Sequence, residues 1–506
     1  MHTAIERIKE FPMINGAITD VQWVEGVTPL EFAGMVFDFE NPGGYYKVEL
    51  RLHPTEQSDI HVVVCLPEPK AWNGKFLGTG NGGAAGNIWY GQYLNGVSRG
   101  YATATTNMGT SPEPYDCMGK MEVLIDFGYR ATHLMTVEGK RLTEWFYGKA
   151  PAYSYFLGGS TGGQQAMSEA QRYPEDYDGI VCMSPAYNRV KLHAWFVWNW
   201  QNIHKVKDGA FSPEQAQAWN ECIVKVYKEQ CGSNPDDAFL CYPGRIRENP
   251  MDHPALQEDI ERLLTSGQAQ ALRALYDGPV DRATGEPFIT PFLPGSESEG
   301  LSLVDISNKE SFYHTLLFPF YWAWGKDFDL MEFDFHHDLA RAIEELSPIL
   351  DATNPDLSAF NERGGKLLVI GGSCDAIIPY TDFLNYYRQV EQKQGGLEKT
   401  MEFFRFFLLP GFGHTSGGKG VKDIGTLGIK ATPRDAEHDM ICAMERWVEQ
   451  GVAPDRLLGT YWKMNEKGLA FDYDRPAYVY PYIAEFTGGD PKNAENYKAV
   501  LNENSY

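Results

Sequence analysis

Along the first 65 residues apolar and polar positions alternate in short stretches such as "YYKVELRL" and "IHVVVCL", broken by proline and glycine. A period of two with such breakers predicts strands, antiparallel and at a sheet edge. The rhythm then changes. "KFLGTG" and "YATATTNMG" read as buried strands, "FGYRATHLMTVEGKRLTEWFYG" has helical spacing, and "YSYFLGG" is again a strand. "TGGQQAMSEAQRYP" predicts a helix stopped by proline, and "YDGIVCMSPA" a further strand. Strands alternating with helices build parallel β-α-β units, so the fold class expected is α/β.

From about 190 to 340 the alternation stops. This stretch is rich in Trp, Phe, Tyr, Pro and Gly, with helices expected near 212–230 and 255–276. The alternation resumes with strand "KLLVIGG", helix "TDFLNYYRQVEQ", strand "MEFFRFFLLPG" and helix "PRDAEHDMICAMERWVEQG". A core that is left and re-entered predicts an α/β domain over 1–189 and 341–506, with a lid or cap inserted over 190–340. Over 506 residues this is one large domain plus an insertion.

The formal net charge of −24 argues against a nucleic-acid partner and against an anionic membrane surface. No apolar run approaches the roughly 18 residues that span a bilayer. The first 20 residues carry acids and no continuous apolar run, unlike a signal peptide. The eight cysteines form no CxxC pair, and Cys222, Cys231 and Cys241 are their only cluster, read mainly as reduced thiols with one disulfide left open. Oligomeric state is not legible.

Two stretches fit G-x-S-x-G: "GVSRG" at 96–100 and "GGSTG" at 158–162. A nucleophile elbow needs strand, tight turn and helix in that order. Ser160 has that order. Ser98 has its strand after the motif, so it reads as a turn serine. A serine hydroxyl attacks only when a base takes its proton, and an acid must orient that base. "KLLVIGGSCDAIIP" sets Asp375 just past one later strand, and "MEFFRFFLLPGFGHTSGG" sets His414 just past the next. This is the chain order of an α/β-hydrolase triad. His133, the pair His336 and His337, and His438 lack such placement and read as structural, with a metal-binding role left open at the pair.

An oxyanion requires backbone N–H donors. Thr161 at the start of the elbow helix supplies one, and Gly82 or Gly83 in "FLGTGNGGAAG" the other. Gly78, Gly80 and Gly83 also make a formal dinucleotide fingerprint. That reading wants a helix at once and an acid at the end of the next strand, and "YATATTN" has none.

With these residues assembled, the chain resembles the tannase/feruloyl esterase family of α/β-hydrolases. "GNGGAAG", "FGYRATHLMT", "GGSTGGQQ", "YDGPVDRATGEPF", "GFGHTSGG" and "RPAYVYP" stand as its landmarks in order. The resemblance implies a carboxylic ester hydrolase acting on esters of phenolic acids, with Ser160, Asp375 and His414 as its triad. It also implies a disulfide joining the residue before the serine to the residue after the histidine. Here those positions hold Gly159 and Thr415, a loss that a reducing compartment favours, so the expected location is cytoplasmic, with a processed secreted chain left open. The family's calcium loop in the lid is reduced to Asp236 and Asp237, so no cofactor or metal is expected, with calcium in the lid left open. Trp195, Trp198, Trp200, Trp322 and Trp324 are candidates for an aromatic acyl pocket or for the lid's own core. The substrate reading leans to galloyl over feruloyl esters. The alternatives are a general aromatic esterase and, more distantly, a non-catalytic or dinucleotide-binding protein.

Overall fold

The computed structural model describes residues 2–32, 35–426, 428, 431–466 and 468–502. Nine strands form the main sheet: β1 (Gly16–Phe32), β2 (Met35–Leu52), β3 (Ile60–Pro67), β4 (Lys75–Thr79), β5 (Ala102–Thr106), β6 (Tyr153–Gly159), β7 (Gly179–Met183), β8 (Lys366–Gly372) and β9 (Phe404–Leu409). Their spatial order is β1-β2-β3-β5-β4-β6-β7-β8-β9. β1, β2 and β3 are antiparallel, and β5, β4, β6, β7, β8 and β9 run parallel. The fold is α/β with a mostly parallel sheet, as the alternation predicted.

The chemistry of the strands explains the two regimes. β4 to β9 are buried on both faces and read as continuous apolar runs, which parallel sheets covered by helices require. The long β1–β2 hairpin instead alternates and carries register shifts between Ile18 and Asp20 and between Val24 and Gly26. Bulges of this kind twist an edge away from further pairing.

Between β7 and β8 the chain leaves the sheet for a helical insertion. Its first helix, Arg189–His204, is buried nearly all round and packs against helices Ser266–Asp277 and His337–Leu350. The apolar core of this insertion includes Ile377 and Ile378 beside β8's loop, with Ala84 and Ala85 of β4's loop packed against it. Among the described residues no helix is long and apolar enough to cross a membrane. All eight cysteines are free thiols.

Beyond β9, strands β10 (Arg456–Asn465) and β11 (Gly468–Tyr478) form a hairpin, and β12 (Tyr482–Phe486) and β13 (Tyr497–Leu501) a second. His438 ties the first hairpin to the body: its Nδ1 meets Asp435 Oδ1 at 2.8 Å and its Nε2 meets Asp474 Oδ2 at 3.2 Å. Burial disfavours the charged ring, but the hydrogen bonds and charges of Asp474 and Asp435 outweigh it and raise the His438 pKa to about 9. A raised pKa stabilises the fold fully below the unfolded value near 6.5, and the contribution is lost as pH climbs through about 9. Urea midpoints at pH 6 and pH 9.5 should therefore differ more in wild type than in His438→Gln, and equal differences would remove His438 from the account.

Candidate active site

β6 delivers Ser160 at the sheet's carboxyl edge, and the helix Thr161–Arg172 begins at the next residue. Ser160 sits at φ 60°, ψ −117°, a conformation that costs a non-glycine residue free energy. The turn is held from both sides. Ser160 N–H donates to the Met183 carbonyl at 3.0 Å, and the Ser160 carbonyl accepts from Gln164 N at 3.1 Å and Ala186 N at 3.0 Å. A methyl group at Gly158 would overlap the Gly162 carbonyl, and one at Gly163 would press on Pro185. These glycines let the helix fold back against its own strand.

Asp375 follows β8 and is fully buried; His414 follows β9 with its ring partly exposed. His414 Nδ1 lies 2.9 Å from Asp375 Oδ2. The other carboxylate oxygen, Oδ1, accepts from Ile377 N at 2.9 Å and Ile378 N at 3.0 Å. Burial opposes the Asp375 charge, but His414, the Ile378 amide and the Ser184 hydroxyl together outweigh it and hold the carboxyl below the ordinary carboxylate range. With Nδ1 occupied by an anion, the ring's second nitrogen, Nε2, is the one left for proton transfer.

The serine and histidine loops touch one residue away from the reacting groups. A Cβ built on Gly159 would lie 2.8 Å from Thr415 Cγ2 and 3.3 Å from Thr415 Cβ. The residue before Ser160 thus faces the residue after His414, where the family resemblance sets a disulfide that this chain lacks. Cβ atoms of a disulfide stand roughly 3.5–4.5 Å apart. Gly159→Cys combined with Thr415→Cys should therefore crosslink on oxidation and raise stability by about 2–4 kcal/mol. Urea unfolding with and without reductant, alongside a thiol titration, checks this; two titratable new thiols after oxidation would refute the facing geometry.

The loop after β4 packs on the elbow. Gly162 N–H donates to Asn81 O at 2.7 Å, and Thr161 Oγ1 donates to Gly83 O at 2.7 Å. A Cβ on Gly80 would overlap Gly162, and one on Gly78 would overlap the Tyr177 hydroxyl. Close packing thus accounts for two glycines of the dinucleotide-like pattern, and no helix opens until Tyr90. Thr161 occupies the first turn of its helix, where backbone N–H groups lack intrahelical acceptors. Gly82 N–H, in contrast, is taken by Asn81 Oδ1 at 2.7 Å. Gly83, at φ +55°, has open space where a side chain would stand.

Other residues at the site gave no signal in the sequence. Asn81 Nδ2 donates to Asn87 O at 2.7 Å and Thr106 O at 2.9 Å, fixing the loop. Arg189, buried at the root of the insertion, donates to Thr161 Oγ1 at 3.0 Å and to Gln164 Oε1 at 2.8 Å. Its guanidinium lies over the rings of Phe127 and Phe318. Ser184, at φ 38° just past β7, was legible only as the end of a strand.

The tryptophans of the insertion lie in its own packing. Trp195 stacks on Phe292 at 6.1 Å, Trp198 donates to Ala274 O, and Trp322 sets its ring edge-on to Phe127. Trp200 meets His204 and Tyr313, and Trp324 donates to Glu345 beneath Arg341. Ser98 ends the helix Tyr90–Ser98, with its hydroxyl on Asn95 O. His336 pairs with Asp281 at 2.8 Å. Asp237 holds Arg475 in an ion pair at 2.9 Å.

A strained serine between a central parallel strand and a helix, with an acid after β8 and a histidine after β9, defines the scaffold of an α/β-hydrolase. Comparison with known proteins narrows the class: residues 47–304 and 321–500 match the family described as "Tannase and feruloyl esterase", and the chain belongs to it. It is 31% identical over 486 residues to an uncharacterised esterase of Xanthomonas campestris pv. campestris, covering 88% of this chain and 83% of the relative. It is 32% identical over 437 residues to a probable feruloyl esterase B-2 of Aspergillus fumigatus, covering 85% and 81%. The crystal structure of feruloyl esterase B from Aspergillus oryzae superposes with a TM-score of 0.85 at 25% identity, covering 98% of this chain and 100% of that one. Tannin acyl hydrolase from Aspergillus niger shares the fold at a TM-score of 0.73 and 18% identity, covering 98% and 95%. The protein is a carboxylic ester hydrolase.

Proposed function

We propose that the protein hydrolyses esters of phenolic acids through an acyl-enzyme on Ser160. The observation that carries the reading is Ser160 at positive φ at the head of a helix, beside a loop in which His414 is bound to a buried carboxylate. In this mechanism His414 Nε2 takes the Ser160 proton as Oγ attacks the ester carbonyl, and Asp375 stabilises the imidazolium that forms. The N–H groups of Thr161 and Gly83 receive the oxyanion. Gly82 drops out as a donor because Asn81 already holds its N–H. The alcohol leaves with the proton from His414. Water then repeats the attack on the acyl-serine and releases the acid.

The apolar core of the insertion meets the site through Ala84 and Ala85 on one side and Ile377 and Ile378 on the other. Such a border suits a planar aromatic acid better than a charged one. Relatives near 30% identity are named for feruloyl esters, whereas the tannin acyl hydrolase is a likeness of fold alone. Hydroxycinnamoyl esters are thus favoured over the galloyl esters to which the sequence leaned.

A panel of methyl ferulate, chlorogenate, methyl gallate and p-nitrophenyl acetate tests the reading. The highest kcat/KM is expected on a hydroxycinnamate. Turnover confined to p-nitrophenyl acetate would overturn the phenolic assignment and leave a general esterase.

A further inference from the structure

Three potential ligands converge at the far end of the elbow helix from Ser160. His133 lies on the helix Ala131–Tyr147, Glu169 on the helix Thr161–Arg172, and Asp176 in the turn before β7. One donor atom from each lies within 4.8 Å of the other two, the only such group of metal-ligating side chains among the described residues. Elements far apart in sequence thus present one imidazole and two carboxylates to a common point.

Glu169 is the informative member. It is fully buried, no N–H group donates to either carboxylate oxygen, and its side-chain neighbour is the Asp176 carboxyl. A buried carboxyl without an N–H donor, set against a second carboxyl, is a group that a cation satisfies. His133 Nδ1 stands 2.7 Å from Asp176 Oδ2, and its ring is fixed by a parallel stack on Tyr173 at 3.8 Å. The side chains of His133 and Asp176 are 29% and 12% exposed, so one flank is open to a water ligand. Lys140 is the opposing charge: its Nζ is held by the Asp176 carbonyl at 2.8 Å.

We propose that His133, Glu169 and Asp176 form a binding site for one divalent transition-metal ion of the zinc type. One nitrogen and two oxygen ligands with an open fourth position match zinc or cobalt, whereas calcium and magnesium want an all-oxygen shell. The site lies nine residues along the helix from Ser160, about 13 Å at the α-helical rise. Its role is to clamp the distal end of the helix that carries the nucleophile, and it takes no part in ester cleavage.

Cobalt and zinc serve as probes on the chelator-treated full chain. Titration with Co²⁺ should give a visible d–d band saturating at one equivalent, which Zn²⁺ abolishes. Zn²⁺ at about 100 times its Kd should raise Tm by about 2–3 °C, with kcat on the best ester unchanged. Glu169→Gln should lose the band and the Tm shift while keeping esterase activity; His133→Gln serves the same purpose if the buried variant fails to fold. A wild-type chain with no band and no shift would overturn the proposal. So would a response that survives both substitutions, which would place the metal elsewhere.

Discussion

Ser160→Ala should lower kcat on the best ester by about 10⁶, or about 8 kcal/mol of transition-state stabilisation, with KM changed little. The expectation follows from the elbow. Alanine retains the φ of 60°, the three backbone hydrogen bonds of Ser160 and the fit against Gly158 and Gly162, so only the attacking oxygen is removed. Thr161 and Gly83 would still face the carbonyl, and the residual rate should stand above that of water. Ser160→Gly makes the test sharper. Glycine relieves the backbone strain, so this variant should be as inactive as the alanine form yet at least as stable in urea. A kcat within tenfold of wild type for either variant would dismiss Ser160 as the nucleophile.

Asp375→Asn should lower kcat by about 10⁴ without unfolding the chain. An asparagine carbonyl can keep the position of Oδ1, accepting from Ile377 N and Ile378 N. Its NH₂ must then face His414 Nδ1 where Oδ2 now stands at 2.9 Å. A donor there forces Nδ1 to accept, which puts the ring proton on Nε2 and removes the base. The loss should fall on kcat, with the circular dichroism spectrum unchanged. A loss of less than tenfold would mean that the carboxylate only packs the loop.

The two serine motifs show how far sequence reaches. The order strand–serine–helix separated Ser160 from Ser98 because an elbow is a local object, written in adjacent residues. Asp375 and His414 were legible for a related reason: each lies a few residues past an apolar run, and the α/β order states which strand ends matter. Gly159 and Thr415 were singled out through the family resemblance alone, and the structure sets them face to face. The insertion was harder to read. Tryptophans packed into a core and tryptophans lining a pocket have the same composition, and only the ring contacts of Trp195 and Trp322 tell them apart. Gly83 is preferred to Gly82 in the proposed mechanism for a similar reason: the side chain of Asn81 accepts from the Gly82 N–H, and a glycine-rich string carries no record of which amide is spoken for. Of the edge, "IHVVVCL" in β3 and the "YYKVELRL" half of β2 stood out, but the β1–β2 hairpin as a whole did not. Pro29, Gly43 and Gly44 interrupt the alternation, while the hairpin runs on through bulges that a period-two rule does not anticipate.

The thread from Arg189 through Thr161 Oγ1 to the Gly83 carbonyl joins three separate pieces of the molecule: the root of the helical insertion, the elbow and the loop after β4. One hydroxyl therefore wires the root of the insertion to the loop that borders the serine, so a change at Arg189 reaches Gly83 without touching the reacting groups.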